Sequence, residues 1–345
     1  YSGNWQSQDP NVPAVRIRTS EPVTIQNSNI TSRGTLIDAF GYAANLTVRN
    51  TRGYALNPNV RGRYPGRFMD IDGFTNIVAE NNYMQGTSGI YLYNYLGNHT
   101  PSQSVKILRN QALNIDGRFS DGKGGFLTGP NDNYFVQFFQ SNGLHDMAGM
   151  EVAWNQVINE PGKSRVEENI NIFDTTGTPS SPIRIHDNYI KGAYAADPLH
   201  PVDYTGGGIM LSDVGSSYVQ AYNNQVIGTG NEGITITSGH DNSFYNNRIL
   251  SSGLLPDGTP NPSQNVGSII WNYNKEKTFT NNSGYNNLIG WMLDGQQNNE
   301  FVPDAAKWSN NQSYPGVVTP QVEAGEWTLW QSKLAKARIK VGPTR

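Results

Sequence analysis

The stretch Gly208-Ile-Met-Leu-Ser-Asp213, followed by Val219-Gln-Ala-Tyr-Asn-Asn224, decides the fold of this chain. In both segments apolar and polar residues alternate, which is the pattern of β-strands with one buried face. Similar pairs recur, such as Gly89-Ile-Tyr-Leu-Tyr-Asn94 before Val105-Lys-Ile-Leu-Arg-Asn110. Each repeat therefore predicts a strand, a turn, a second strand, an asparagine turn and a short third strand.

The spacing of the repeats selects the architecture. Copies follow one another at about 23 to 45 residues, and repeats of this size indicate a solenoid or a propeller. The shortest spacings leave no room for a four-stranded propeller blade of about 40 residues, whereas they fit a three-strand coil. Asparagines of successive coils would then stack about 4.8 Å apart and form an amide ladder. The expected ladder passes through Asn81, Asn110, Asn155, Asn188 and Asn224. Asparagine also tolerates the left-handed conformation of tight turns.

The paired signatures resemble those of the right-handed parallel β-helix superfamily, which contains pectate-lyase-like enzymes, alginate epimerases and polygalacturonases. The resemblance covers roughly residues 12–295. It implies an all-β, right-handed parallel β-helix solenoid of about ten coils over residues 1–295. Residues 296–345 lose the repeat, so we expect an irregular or helical C-terminal segment that caps or flanks the solenoid.

Composition restricts the class of protein. Only 15% of the residues are charged and the net charge is −3, so no strong field favours nucleic acid. No apolar run is long enough to span a membrane. Cysteine is absent, which excludes disulfides and cysteine nucleophiles. We expect a secreted, periplasmic or cell-surface protein without an organic cofactor.

The resemblance also implies a substrate groove on the strand that precedes the asparagine turn. Alternation points Met69, Ile71, Ile90 and Leu92 inward, so that their neighbours point outward. The outward acids are candidate catalytic residues: Asp38, Asp70 and Asp72. The outward aromatic residues are candidate substrate-binding residues, because aromatic faces stack on sugar rings: Tyr91, Tyr93, Phe139, Phe173 and Trp271.

The aspartates form the best acidic constellation. Asp38 should stack below Asp70, while Tyr91 and Tyr93 should lie over Asp70 and Asp72. Residues i and i+2 of a strand are about 6.7 Å apart, which falls within the carboxylate separation of inverting glycosidases. The same cluster could bind Ca²⁺ or pair with nearby arginines.

Those arginines, Arg61, Arg63 and Arg67, support a second interpretation. Arginine binds carboxylates in a bidentate manner, which suits an acidic polysaccharide as substrate of a lyase or epimerase. The base would be one of four residues: Tyr64, Lys123, His145 or His186. The motifs of two related families are incomplete, because Ser238-Gly-His-Asp-Asn242 lacks the second glycine of Gly-His-Gly and Leu144-His-Asp-Met147 lacks the proline of Asp-Pro-His.

Two functional classes follow from these observations. The first is a polysaccharide-directed enzyme, namely a lyase, an epimerase or a glycoside hydrolase. The second is a non-catalytic adhesin or module that binds glycans or proteins. The partner in the first class is a polysaccharide or glycan, and neither class involves nucleic acid or a membrane span.

Overall fold

The fold is almost entirely β-structure, and the computed structural model describes residues 1–129, 131–201 and 205–344. The strands are β1 (Asn4–Ser7), β2 (Val15–Ile17), β3 (Pro22–Gln26), β4 (Asn29–Ser32), β5 (Ile37–Arg49), β6 (Arg52–Ala55), β7 (Met69–Glu80), β8 (Tyr83–Gln85), β9 (Ile90–Tyr95), β10 (Val105–Leu108), β11 (Gln111–Leu113), β12 (Phe139–Asn142), β13 (Glu151–Ala153), β14 (Gln156–Ile158), β15 (Glu168–Phe173), β16 (Ile183–His186), β17 (Tyr189–Ala193), β18 (Gly207–Ser212), β19 (Val219–Tyr222), β20 (Gln225–Thr229), β21 (Glu232–Ile236), β22 (Ser243–Tyr245), β23 (Arg248–Ser251), β24 (Val266–Ile270), β25 (Ser283–Tyr285), β26 (Leu288–Leu293), β27 (Gln296–Gln297), β28 (Glu300–Phe301), β29 (Lys307–Ser309) and β30 (Gln312–Ser313). The one helix among the described residues is α1 (Pro320–Ala337).

The strands pair in three rows, and each row takes one strand from each successive repeat. The first row runs β2-β5-β7-β9-β12-β15-β18-β21-β24-β28, and the second runs β3-β5-β7-β10-β13-β16-β19-β22-β25-β29. Both belong to one parallel sheet of 18 strands, because the long strands β5 and β7 contribute to both rows. The third row, from β1 to β26 and β30, is a second parallel sheet, with β27 antiparallel to β26.

These long parallel sheets are compatible with a parallel β-helix, and the predicted all-β architecture with a helical C-terminal segment is confirmed. Pairing continues beyond residue 295, since β28, β29 and β30 extend the three rows. The core consists of stacked apolar side chains. For example, Ile170, Ile209 and Ile234 occupy neighbouring strands at one register position and are fully buried.

An asparagine ladder runs beside the core. The Nδ2 of Asn110 donates to Asn155 Oδ1 at 3.0 Å, and Asn155 donates to Asn188 at 2.9 Å. The bonds continue through Asn224, which confirms four of the predicted rungs. The prediction for Asn81 is wrong, because its neighbour Asn82 makes the bond to Asn110. The full ladder comprises Asn82, Asn110, Asn155, Asn188, Asn224, Asn247, Asn287 and Asn311.

The left-handed turn lies one residue before each of these rungs. Arg109, Trp154 and Asp187 have φ values of 55°, 58° and 53° and precede Asn110, Asn155 and Asn188. The ladder asparagines are therefore used for their amides, and the left-handed position belongs to the preceding residue. Asparagine takes this position before five of the eight rungs, at Asn81, Asn223, Asn246, Asn286 and Asn310.

Helix α1 packs against the third row. Thr319 caps its N-terminus, and Arg338 ends it in the left-handed conformation. Trp330 is fully buried and stacks on Tyr189 and Trp154. The helix thus covers a flank of the sheet, as expected for the C-terminal segment. No helix among the described residues is both long and apolar enough to cross a bilayer.

Candidate functional site

The predicted aspartate patch has the expected register. Asp38 pairs with Asp70, which pairs with Tyr91, and Asp72 pairs with Tyr93. The stacking that alternation predicts is therefore confirmed. The catalytic role of the three aspartates stays a prediction.

The environments of these aspartates differ. Asp38 is only 2% exposed, and its carboxylate accepts hydrogen bonds from Arg16 at 2.8 and 3.0 Å. Asp70 is partly buried, and burial raises the pKa of its carboxyl although Arg67 opposes the shift. An ion pair with an arginine that the sequence did not suggest, Arg16, therefore holds one end of the patch.

Arg63 and Arg67 of the preceding loop direct their hydrogen bonds to groups other than the aspartate carboxylates, although Arg67 lies close enough to Asp70 to lower the pKa of that carboxyl. Arg61 is exposed, and Arg63 donates to Asn11 Oδ1 and to the carbonyl of Pro10. Arg67 is buried, donates to Ser88 O at 3.1 Å and lies 4.6 Å above the ring of Tyr91. Among the described residues, none of the three forms an ion pair with an aspartate of the patch.

The predicted aromatic face is partly wrong. Phe139 is fully buried and pairs with the inward Ile90, so it belongs to the core. The next residue, Gln140, takes the outward position beside Tyr91. Phe173 keeps the outward position and pairs with Asn142. Tyr93 and Trp271 are exposed, at 44% and 38%.

The four candidate bases are scattered. Tyr64 lines a cavity described below. His186 lies in the second row, between Glu151 Oε1 at 2.9 Å and Asp187 Oδ2 at 2.7 Å. Lys123 and His145 are exposed. Of these residues, only Tyr64 lies near the aspartate patch.

Two adjoining cavities lie along the first row. The first, which we call the tyrosine cavity, has a volume of about 400 Å³. The described residues that line it are Tyr64, Arg67, Asp70, Tyr91, Tyr134, Phe135, Gln137, Gln140, Asn142, Glu167, Asn171, Phe173 and Asp213. The rings of Tyr64 and Tyr134 are stacked at 4.6 Å and form one wall.

The second cavity, which we call the acidic cavity, has a volume of about 470 Å³. Arg165, Glu167, Glu168, Asn231 and Glu232 line it, together with described loop residues between 128 and 135 and between 195 and 206. Phe135 and Glu167 line both cavities, so the two spaces meet at these residues. We call these two adjoining cavities together the groove.

Two carboxyl groups converge on a glycine in the acidic cavity. Glu168 begins β15 and pairs with Gly207, the first residue of β18. Glu232 begins β21, the strand that follows β18 in the row. A Cβ on Gly207 would lie 2.1 Å from Glu232 Oε1 and 2.9 Å from Glu168 Cγ. The missing side chain of Gly207 therefore makes the space that both carboxylic acids share.

Electrostatics favours the protonated form of this pair. Burial raises the pKa of Glu232 to about 8, and it raises the pKa of Glu168 well above its ordinary value, further increased by the neighbouring Glu167 and Glu232. Burial likewise raises the pKa of Glu167 to about 7 and that of Asp213. Two like charges so close cannot both ionise easily, so the pair retains a proton near neutral pH.

Hydrogen bonds give the two members different surroundings. Asn171 Nδ2 donates to Glu168 Oε2 at 3.0 Å and to Asp213 Oδ2 at 3.4 Å. Glu232 is 2% exposed, and its Oε2 has no hydrogen-bond partner among the described residues. A buried carboxyl oxygen without a partner is costly, which favours its protonated form.

Alternation explains why the sequence did not identify these glutamates. Glu168 lies two residues before the inward Ile170, and Glu232 lies two residues before the inward Ile234. A regular strand would direct both glutamates into the core. They lie instead at strand beginnings, where their side chains reach the cavity. The available signal was a pair of acids at positions that strict alternation would bury.

Among the described residues, no three histidine, aspartate or glutamate side chains lie close enough together to hold a metal ion. At the predicted Ca²⁺ position, Asp38 is paired with Arg16 instead.

Comparisons with protein-family models, curated proteins and solved structures found no match. Membership of the right-handed parallel β-helix superfamily therefore stays a resemblance of sequence pattern.

Proposed function

We propose that this chain is an exported glycoside hydrolase that folds as a right-handed parallel β-helix and cleaves a polysaccharide in the groove above its first row. The convergence of Glu168 and Glu232 over Gly207 carries the proposal. Glycoside hydrolysis needs one carboxylic acid that holds a proton and one carboxylate that is ionised, on either side of the scissile bond.

The two glutamates suit these roles in different ways. Glu232 is the general acid, because burial favours its protonated form and its Oε2 makes no hydrogen bond to a described residue. Glu168 is the carboxylate that activates the attacking water or attacks the sugar, because a proton retained on Glu232 leaves its neighbour as the member that ionises, and the hydrogen bond from Asn171 opposes the rise in the pKa of Glu168. In the overall reaction, the leaving oxygen gains the proton that Glu232 loses, and water supplies the replacement.

The charge of the groove favours hydrolysis over elimination. A lyase or epimerase that acts on uronates must neutralise the carboxylate of its substrate. The described residues of the two cavities contribute six carboxyl groups, from Asp70, Glu167, Glu168, Asp197, Asp213 and Glu232, against the guanidinium groups of Arg67 and Arg165. With only two guanidinium groups, the groove offers little neutralisation to an anionic polymer.

A specific surface supports the second candidate function, a glycan-binding module without catalysis. Trp271 makes edge contacts with Tyr273 and Phe301 at 5.0 and 5.5 Å, and all three side chains are exposed. Exposed aromatic clusters bind sugar rings in the absence of a catalytic group.

Incubation with a panel of neutral, acidic and amino polysaccharides distinguishes the candidates. We expect new reducing ends without the absorbance of unsaturated uronates. Unsaturated products would establish a lyase instead. Binding without products from any polymer would favour the non-catalytic module.

Two matched variants then locate the chemistry. Glu232→Gln should lower turnover by about 10²-fold or more, because general acid catalysis contributes about this factor. Asp70→Asn tests the site that the sequence predicts, in the same groove, and should reduce turnover far less. Full activity of Glu232→Gln together with loss in Asp70→Asn would move the active site to the aspartate patch.

A further inference from the structure

Two buried amide side chains in the tyrosine cavity have their orientation fixed by carboxylates. Gln137 Nε2 donates to Glu167 Oε2 at 2.9 Å, and Asn171 Nδ2 donates to Glu168 and Asp213. A flipped amide would bring its carbonyl oxygen against these carboxyl oxygens. The NH₂ groups are therefore committed to carboxylates.

The carbonyl oxygens of the same amides have no partners among the described residues. Gln137 Oε1 and Asn171 Oδ1 accept no hydrogen bond from them, although each residue is only 1% exposed and lines the tyrosine cavity. Buried polar atoms are almost always paired, because an unpaired one is unfavourable. A ligand that satisfies either atom must be a hydrogen-bond donor.

The charge around these oxygens selects the kind of donor. Glu167 and Asp213 flank the two amides, and neither forms an ion pair with a described residue. Each is partly buried, and the charge of Asp213 further opposes ionisation of Glu167. Arg67 lies over the ring of Tyr91. Arg165 opposes the effect of burial on the pKa of Glu167, but it forms no ion pair with that residue among the described residues, so neither arginine neutralises the two carboxylates by direct contact. A hydroxyl group would satisfy the amides alone, whereas a protonated amine would also neutralise the carboxylates.

The walls indicate what carries the amine. Tyr64, Tyr91 and Tyr134 line the cavity, and Asn142 Nδ2 donates to the hydroxyl oxygen of Tyr91 at 2.9 Å. Aromatic faces beside hydrogen-bonding groups suit a pyranose ring, whose faces are apolar and whose rim is polar. An ammonium group supplies three N–H donors, which the two amide oxygens and a flanking carboxylate can accept.

We propose that the tyrosine cavity binds the protonated amine of a glucosamine-type sugar, so that the substrate is a polysaccharide with free amino groups. This inference rests on the proposed function, since it names the sugar that the groove presents to Glu168 and Glu232. Gln137 Oε1, Asn171 Oδ1, Glu167 and Asp213 are the groups that recognise the amine.

Calorimetric titration of the whole chain tests the inference with three hexasaccharides: glucosamine, N-acetylglucosamine and glucose oligomers of the same linkage. We expect the glucosamine hexamer to bind at least about tenfold more tightly than the other two, since hydrogen bonds to charged groups contribute about 1.5–3 kcal/mol. Equal affinity for the three hexamers would overturn the inference. Equally tight binding of 1,4-diaminobutane would overturn the assignment to a sugar.

Variants connect the preference to the cavity. Glu167→Gln, which removes one charge and keeps the shape, should lower affinity for the glucosamine hexamer about tenfold and leave affinity for the glucose hexamer unchanged. Asp213→Asn should do the same and provides a second test if Glu167→Gln does not fold. Glu21→Gln, a change of an exposed acid outside both cavities, should change neither affinity. An unchanged preference in both cavity variants would overturn the inference.

The outcomes separate this inference from the proposed function. Cleavage of a neutral glucan without preference for amines would leave the hydrolase standing and remove the amine site. Tight binding of glucosamine oligomers that depends on Glu167, without cleavage of any polymer, would keep the amine site and remove the hydrolase.

Discussion

Gly207 shapes the acidic cavity because it has no side chain. The position allows alanine in terms of backbone conformation, because Gly207 is not among the residues with positive φ. A methyl group there would overlap the end of the Glu232 side chain, which is flexible, rather than the backbone. The glycine is therefore a requirement of the site more than of the fold.

We predict that Gly207→Ala lowers turnover at least tenfold and shifts the melting temperature by less than about 1.5 °C, which corresponds to about 1 kcal/mol in a chain of 345 residues. The methyl group should displace the Glu232 carboxyl from its place above Glu168. Reducing-end assays and thermal melts of the same preparation measure both effects. Loss of stability without a change in the activity of the folded fraction would contradict the role assigned to Gly207.

Asn155 shows what a rung of the ladder contributes. Its Oδ1 accepts from both the backbone and the side-chain nitrogens of Asn110, and its Nδ2 donates to Ile107 O and Asn188 Oδ1. We predict that Asn155→Ala lowers the unfolding free energy by at least about 3 kcal/mol, because several buried groups lose their partners. Denaturant titration measures the change. Asn4→Ala, at an exposed asparagine pair, is the control and should cost less than about 1 kcal/mol.

Residue patterns predicted the ladder better than they predicted the site. The rungs at Asn110, Asn155, Asn188 and Asn224 follow from the recurring asparagine, while the choice between Asn81 and Asn82 depended on the turn that precedes each rung. Phe139 and Glu232 could not be placed, because their strands begin one or two residues away from where alternation suggested. A shift of one residue exchanges the two faces of a strand.

At the scale of elements, helix α1 is held by a buried ion pair as well as by apolar contacts. Glu326 is 2% exposed, and its carboxylate accepts from Arg248 at 2.6 Å and from Gln225 at 2.7 Å. Beside it, Trp330 stacks on Tyr189. The sequence predicted that the C-terminal segment caps or flanks the solenoid. It did not predict the partners of Glu326, because they lie about 80 to 100 residues earlier in the chain and no local pattern connects them to the helix.

We predict that Glu326→Ala lowers the unfolding free energy by about 3–5 kcal/mol, since it leaves the guanidinium of Arg248 without its partner. Glu326→Gln should cost less, because it can still accept from Gln225 or Arg248. Urea titration followed by tryptophan fluorescence reports the transition, as Trp330 lies at the contact. A change below 1 kcal/mol for Glu326→Ala would mean that the helix detaches without affecting the sheets.

For the whole molecule, the acidic cavity links stability to pH. The carboxyls of Glu167 and Glu232 have pKa values of about 7 and about 8 in the folded chain, against an ordinary value of 4.5. Between pH 4.5 and about pH 8, these two carboxyls are protonated to a greater extent in the folded chain than in the unfolded chain. The unfolding free energy therefore falls as pH rises through this range. Glu151, whose pKa is lowered to about 2 by His186 and its other partners, has the opposite effect, but only below about 4.5.

We predict a melting temperature that is highest near pH 5 and declines towards pH 8, with a slope of at most about 1.4 kcal/mol per pH unit for each carboxyl. Glu232→Gln should flatten the decline, because its side chain does not titrate. Thermal melts at constant ionic strength in steps of half a pH unit measure both curves. Identical slopes for the two proteins would show that Glu232 ionises in the folded chain as it does in water.

The asparagine ladder has a consequence for how such a chain can change. Successive rungs are separated by 28, 45, 33, 36, 23 and 40 residues from Asn82 to Asn287, yet the amide bonds between them all measure 2.9 to 3.0 Å. The ladder thus fixes the position of each strand independently of the length of chain that loops out between rungs. Insertions and deletions can accumulate in those loops, which include the walls of both cavities, while the floor keeps its register. Under the proposed function, segments of other lengths in place of residues 131–135 or 195–201 should alter substrate preference on an unaltered framework.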